Sequence, residues 1–250
     1  MPMSGNAQIT EGQKLEIGGI FVRRLDDILR GMPQDVAQNY IGTSGGADKF
    51  VEDVRRGIFP ATAIDFSPWL SKWEKFYKKI FGRKYDFSGI PFPPADDVFT
   101  WTLCMAGDIP AEDWLSAGKN PFPFWKYTGK KLDEVLDLSF GRDGWNHQYI
   151  ARLKANEEAD EDLKDISAIK IAEMKINTAT LRERLAIGRF LYWDRGLILD
   201  KKYITLCAGS RYSDGYVPFV SWFESHGRVV VDWDRPGDAN DFLRSRRAVS

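Results

Sequence analysis

Half of the aromatic rings in this chain fall between residues 59 and 127: 17 of the 34 Phe, Trp and Tyr side chains, with 8 of the 12 prolines. Rings bring large apolar area, and prolines stiffen the irregular segments between helices and turns. A stretch so composed folds into a rigid, ring-lined core or surface, suited to gripping a partner. Trp69, Trp73, Trp101, Trp114 and Trp125, with Trp222 and Trp233 further on, exceed what an ordinary core needs. Tryptophan is a favoured anchor at protein–protein interfaces, so the first five are the expected binding residues. Filling the core between helices is the competing role, and the expected one for most of them.

Bulk properties set outer bounds. A chain of 250 residues accommodates one large domain or two small ones. Its 43% hydrophobic and 28% charged content is ordinary for a globular protein, and a formal charge of −1 supplies no global field for nucleic acid or anionic membranes. Cys104 and Cys207 are too few and too far apart for a disulfide framework, so buried free thiols are expected. Residues 1–10 carry no signal-peptide pattern, and no run approaches the ~20 apolar residues of a membrane helix. The expected location is cytoplasmic.

Local patterns suggest the elements. Residues 14–17 and 20–23 flank Gly18-Gly19 as a short hairpin, and short helices follow near 26–30, 35–40 and 47–56. The clearest early helix covers 68–81: Ser67 is a good N-cap, Pro68 suits the first turn, the rings recur at helical spacing, and Gly82 sits at the C-cap. Short helices are expected at 96–106, 111–117, 130–138 and 145–154. Acids at 157–165 precede a seam, Ile171, Met174, Thr178, Leu181, Leu185, Gly188 and Tyr192, that predicts one long amphipathic helix. Strands are expected at 197–199, 203–208, 216–223 and 228–233, the last two joined by a turn near Ser225-His226-Gly227.

Several constellations resemble chemical motifs. Gly42-Thr43-Ser44-Gly45-Gly46 matches G-x-S-x-G and is similar to the nucleophile turn of patatin-like hydrolases, which use an aspartate partner. That role would fall to Asp143 or Asp214, but the glycine-rich oxyanion loop of that family has no clear counterpart upstream. Asp232, Asp234 and Asp238 follow a strand into a turn, and three converging carboxylates would hold Mg²⁺ or Ca²⁺. Pro236 and Leu243 break the EF-hand pattern there. Lys72, Lys75, Lys78 and Lys79 line one face of the 68–81 helix, as a nucleic-acid contact or, more simply, as a solvated surface. His147 and His226 are isolated, without zinc-ligand spacing.

The reading is an α+β protein: a mostly helical aromatic-rich region over residues 1–155, then a long helix and small antiparallel sheet over 156–250. The two regions also fit one continuous domain. The expected function is non-catalytic binding of another protein, as in assembly, inhibitor or immunity factors, with no cofactor. A metal-dependent hydrolase or nuclease at Asp232, Asp234 and Asp238 is the first alternative. The second is a structural subunit whose tail, residues 244–247, contacts neighbours. Self-association stays open, and a membrane partner is not expected.

Overall fold

The computed structural model describes residues 67–93, 98–118 and 122–250. The hairpin, the early helices and the Ser44 motif expected in the first 56 residues lie outside them. Contacts divide the chain into Met1–Asp65 and Phe66–Ser250, and all described residues belong to the second unit. In order, its elements are α1 (Ser67–Ile80), β1 (Trp101–Met105), α2 (Ala111–Ser116), β2 (Phe124–Lys126), α3 (Leu132–Val135) and β3 (Tyr149–Leu153). These are followed by α4 (Ala168–Glu173), α5 (Leu181–Arg195), β4 (Ile204–Leu206), β5 (Val217–Phe223), β6 (Arg228–Asp234), β7 (Leu243–Arg244) and β8 (Ala248–Val249).

The chain is α+β, but the expected helical body is a correction to make: the described part is built on two sheets. One runs β1-β3-β8 and the other β2-β6-β5-β4-β7. Both draw strands from either side of residue 155: the edge strand β2 joins β6 in one sheet, and β8 joins β3 in the other. Two segments expected as helices, 96–106 and 145–154, instead supply β1 and β3, paired antiparallel from Trp101↔Leu153 to Met105↔Tyr149. Every residue of both strands is buried, so neither shows the alternation that marks a half-exposed strand.

The expected α1 is present, with Gly82 in the left-handed conformation just past its end. Its rings dock it onto the edge of β1. Trp73 Nε1 donates to Thr102 O (2.9 Å), and Tyr77 Oη, one turn on, donates to Cys104 O (2.7 Å) while accepting from Ala106 N–H (3.0 Å). The edge carbonyls are thereby satisfied by side chains rather than by another strand. Trp73 also stacks on Phe190 of α5 at 4.0 Å between centroids and 10° between planes.

The expected long helix is a second correction. It breaks into α4 and α5, with Lys175 in a left-handed conformation (φ 55°) and an extended link bridging Thr178 to Arg247. α5 restarts at a capping box: Thr180 Oγ1 accepts from Glu183 N–H, and the Glu183 carboxylate accepts from Thr180 N–H. From Leu181 to Leu191 every residue of α5 is buried, including Arg182, Glu183, Arg184 and Arg189. It is the central post of the fold, contacting α1, α2, β1 and β5. Among the described residues no helix is long and apolar enough to cross a membrane.

Candidate functional site

Charges on the buried stretch of α5 demand partners, because an uncompensated ion inside a protein is costly. Backbone carbonyls take the Arg182 guanidinium (Asp143 O, Gly107 O and Ile109 O) and Arg189 (Ala117 O), and three further sets of contacts serve the rest. Around its first turn, Glu183 receives Arg142 side-on, Nε to Oε1 at 2.7 Å and Nη2 to Oε2 at 2.8 Å, and Tyr149 Oη at 3.0 Å. Burial alone would raise the Glu183 carboxyl, but the Arg142 pair outweighs it and holds the pKa low.

A second set closes the helix N-terminus. Ser210 Oγ donates to Asp143 and accepts from Leu181 N–H (2.7 Å), while Asp143 Oδ1 accepts from Arg182 N–H (3.3 Å). Burial pushes the Asp143 carboxyl up to about 6, against hydrogen bonds from Ser210, Thr180 and Arg182 that pull the other way. The first-turn N–H groups of Leu181, Arg182 and Glu183 are all taken, so this helix end presents no vacant anion cradle. Ser210 is fully buried. The arrangement caps a helix rather than exposing a nucleophile.

The third set centres on Asp200. Its two oxygens accept from Arg184 Nε (2.7 Å) and Arg246 Nη2 (2.6 Å), and Thr205 Oγ1 donates to it at 2.5 Å. Arg246 also reaches Asn156 O and Glu157 O, both at 2.7 Å. The C-terminal basic residues expected to contact neighbours are therefore engaged within the chain: Arg244 pairs with Glu161, Arg246 with Asp200 and Arg247 with Asp162.

Beside the Glu183 set lies a cavity of about 300 Å³, walled by Phe140, Arg142, Ile171, Lys175, Ile176 and Thr178 among others. Gly209 forms part of its floor by close backbone approach. A Cβ on Gly209 would stand 2.6 Å from Thr178 O and 3.2 Å from Ala179 O. Both obstacles are backbone, which cannot rotate away, so Gly209→Ala is expected to destabilise the protein by about 1–3 kcal/mol. Urea unfolding of the variant beside wild type measures it.

The residues expected to hold a metal, Asp232, Asp234 and Asp238, lie at the end of β6 and in the turn beyond it. Among the described residues, no group of three or more His, Cys, Asp or Glu side chains is placed to hold a metal ion. Asp232 turns back to accept from Trp233 N–H, and Asp234 accepts from Arg235 N–H, both at 3.0 Å. Partial burial and a hydrogen bond with Asp238 raise the Asp234 carboxyl. Cys104 and Cys207 are free, buried and pushed well up in pKa by that burial. Lys72, Lys75, Lys78 and Lys79 are solvated, and the α1 rings Trp73, Phe76 and Tyr77 are fully buried on the other side, out of reach of bases.

The five tryptophans separate by burial. Trp73 and Trp114 are fully buried, Trp101 is 6% exposed, and Trp69 packs half-buried against the core. Trp125 is 40% exposed. It sits on β2 opposite Val230 of β6, which in turn faces Ser221 of β5. Along the same face, Phe223 is exposed opposite Arg228, with His226 stacked on its ring at 4.6 Å and 10°. On the inner face of these strands Val229, Val231 and Val220 enter the main core. The outer face is covered at its other end, where Leu206, Phe219 and Val217 pack with Ile171 of α4.

β2 is also an edge. Val229 N–H donates to Pro123 O (2.8 Å) and Tyr127 N–H to Val231 O (3.1 Å). In a parallel ladder with that register, Phe124 and Lys126 turn their N–H and C=O groups away from β6. The sequence singles out Trp125 but gives no sign of Val230, Phe223 and this edge beside it, because the face exists only once three distant segments pair. No protein-family model, curated protein or solved structure matches the chain.

Proposed function

We propose that this protein acts by binding another protein, without catalysis of its own, and that the outer face of β2, β6 and β5 is where it does so. The observation that carries the reading is Trp125, exposed beside Val230 and in line with Ser221 on an uncovered sheet face that also carries Phe223. Exposed tryptophan next to aliphatic surface is the composition of an interface hot spot, worth 2 kcal/mol or more when buried by a partner. The outer edge of β2, unpaired among the described residues, suits a partner segment in extended conformation, which gains main-chain hydrogen bonds while Trp125 supplies the anchor. Two free, buried thiols fit a reducing compartment such as the cytoplasm.

The test is affinity capture from the source cells with wild type, the Trp125→Ala/Phe223→Ala variant and a Lys75→Ala/Lys78→Ala control. A specific partner should be retained by the control and weakened roughly tenfold or more by the double ring variant. Both rings are substantially exposed, so the variant is expected to fold. Equal capture by all three proteins would remove this face as the binding surface.

A further inference from the structure

The cavity beside α5 shares no lining residue with the Trp125 face, and its chemistry is of a different kind. Its volume of about 300 Å³ lies at the small end of ligand sites. Phe140, Ile171 and Ile176 give it an apolar wall, and Arg142 and Lys175 give it cationic groups. Arg142 is not a loose surface cation. Glu183 holds its Nε and Nη2, and Nη2 also donates to Thr178 O at 2.9 Å. Glu183 is fixed in turn by Tyr149 Oη and Thr180 N–H. The guanidinium plane is therefore set before any ligand arrives, and its remaining nitrogen, Nη1, has no hydrogen-bond partner among the described residues.

Charge counts define the complement. Arg142 and Glu183 cancel, and Lys175 has no ion-pair partner among the described residues, so the three groups together carry one net positive charge. Arg211, stacked on Phe140 at 4.7 Å, adds positive potential behind the wall. A site with an oriented donor, one uncompensated ammonium group and an apolar wall selects an anion with a hydrophobic body. Preorganisation of Arg142 reduces the ordering cost that such a small ligand must overcome.

We propose that the cavity walled by Phe140, Arg142, Ile171, Lys175 and Ile176 binds a small monocarboxylic acid, its carboxylate toward Arg142 Nη1 and Lys175 and its apolar group against Phe140 and the two isoleucines. The inference stands apart from the protein-binding reading and survives if that reading fails.

The test uses the full chain and three probes: benzoate, 3-methylbutanoate and, as the neutral counterpart, benzamide. Methyl NMR follows Ile171 and Ile176 during titration. Saturable shifts at those methyls are expected with the acids, with benzamide roughly tenfold weaker or more, because it lacks the charge that pairs with the two cations. Lys175→Ala, at an exposed position, should weaken the acids about tenfold and leave benzamide unchanged. Ala172→Trp, also exposed and lining the cavity, should abolish the shifts by filling the space. The proposal is overturned if neither acid shifts these methyls at tens of millimolar, if benzamide binds as well as benzoate, or if Lys175→Ala leaves benzoate affinity unchanged.

Discussion

Asp200→Asn should cost the fold about 3–5 kcal/mol, a large share of the 5–15 kcal/mol that holds a typical domain together. Asparagine keeps the size of aspartate and tolerates the left-handed backbone at this position (φ 58°), so the change isolates charge from shape. It leaves Arg184 and Arg246, whose side chains are 2% and 1% exposed, facing each other with no compensating anion. It also sets an amide donor against a guanidinium or the Thr205 hydroxyl, where wild type has an acceptor. Urea denaturation gives the number directly. A loss below about 0.5 kcal/mol would mean that the two arginines find other partners or water, contrary to their burial.

The same group fixes a pH dependence. Burial raises the Asp200 carboxyl, but Arg184 and Arg246 outweigh it and hold its pKa below the ordinary carboxylate range. A depressed folded-state pKa gives stability that is fully present above the unfolded value and is lost as pH falls through the folded one. Wild type should therefore lose this contribution only on the acid side of the usual carboxylate titration, and Asp200→Asn should lack that part of its acid transition.

What the sequence revealed followed from local rules. α1 was legible because its rings repeat at helical spacing between Pro68 and Gly82, and β5 and β6 because each flanks a short glycine turn. β1 and β3 were not, since strands buried on both faces carry no alternation, and Arg152 in β3 reads as a surface residue although it is 1% exposed. The break between α4 and α5 did leave a signal: Thr180-Leu-Arg-Glu183 is a capping box that an unbroken helix has no use for. The seam of apolar residues across the break concealed it. The buried ion sets were illegible for a deeper reason. Arg142, Glu183, Arg184, Asp200 and Arg246 look like solvated charges one by one, and only the tertiary fold makes them partners. Even Gly188, read as a seam position, owes its place to the Arg184 guanidinium, which occupies the space a Cβ would need.

Asp143 supplies the opposite pH behaviour, and Asp143→Asn should expose it. Burial raises the Asp143 carboxyl to about 6 from its ordinary 3.8, so between those pH values the folded chain holds a proton that the unfolded chain has released. Stability must then fall as pH rises through this window, by about 3 kcal/mol for a difference of roughly two pH units. Asparagine has no such titration. It retains an oxygen for Arg182 N–H, while its amide can donate to Ser210 Oγ, which already accepts from Leu181 N–H. Whatever constant cost that exchange carries, the difference in unfolding free energy between the variant and wild type should move by about 3 kcal/mol in favour of the variant from pH 4 to pH 7. Asp160, raised by burial in both proteins, cancels from the comparison. Denaturant titrations at several pH values measure the difference, and a constant offset across the window would show that Asp143 is ionised throughout. The outcome bears on the capping role directly. The two oxygens of the carboxylate accept from Arg182 N–H and Ser210 Oγ at once, where an amide offers one acceptor and one donor and so turns the Ser210 bond around.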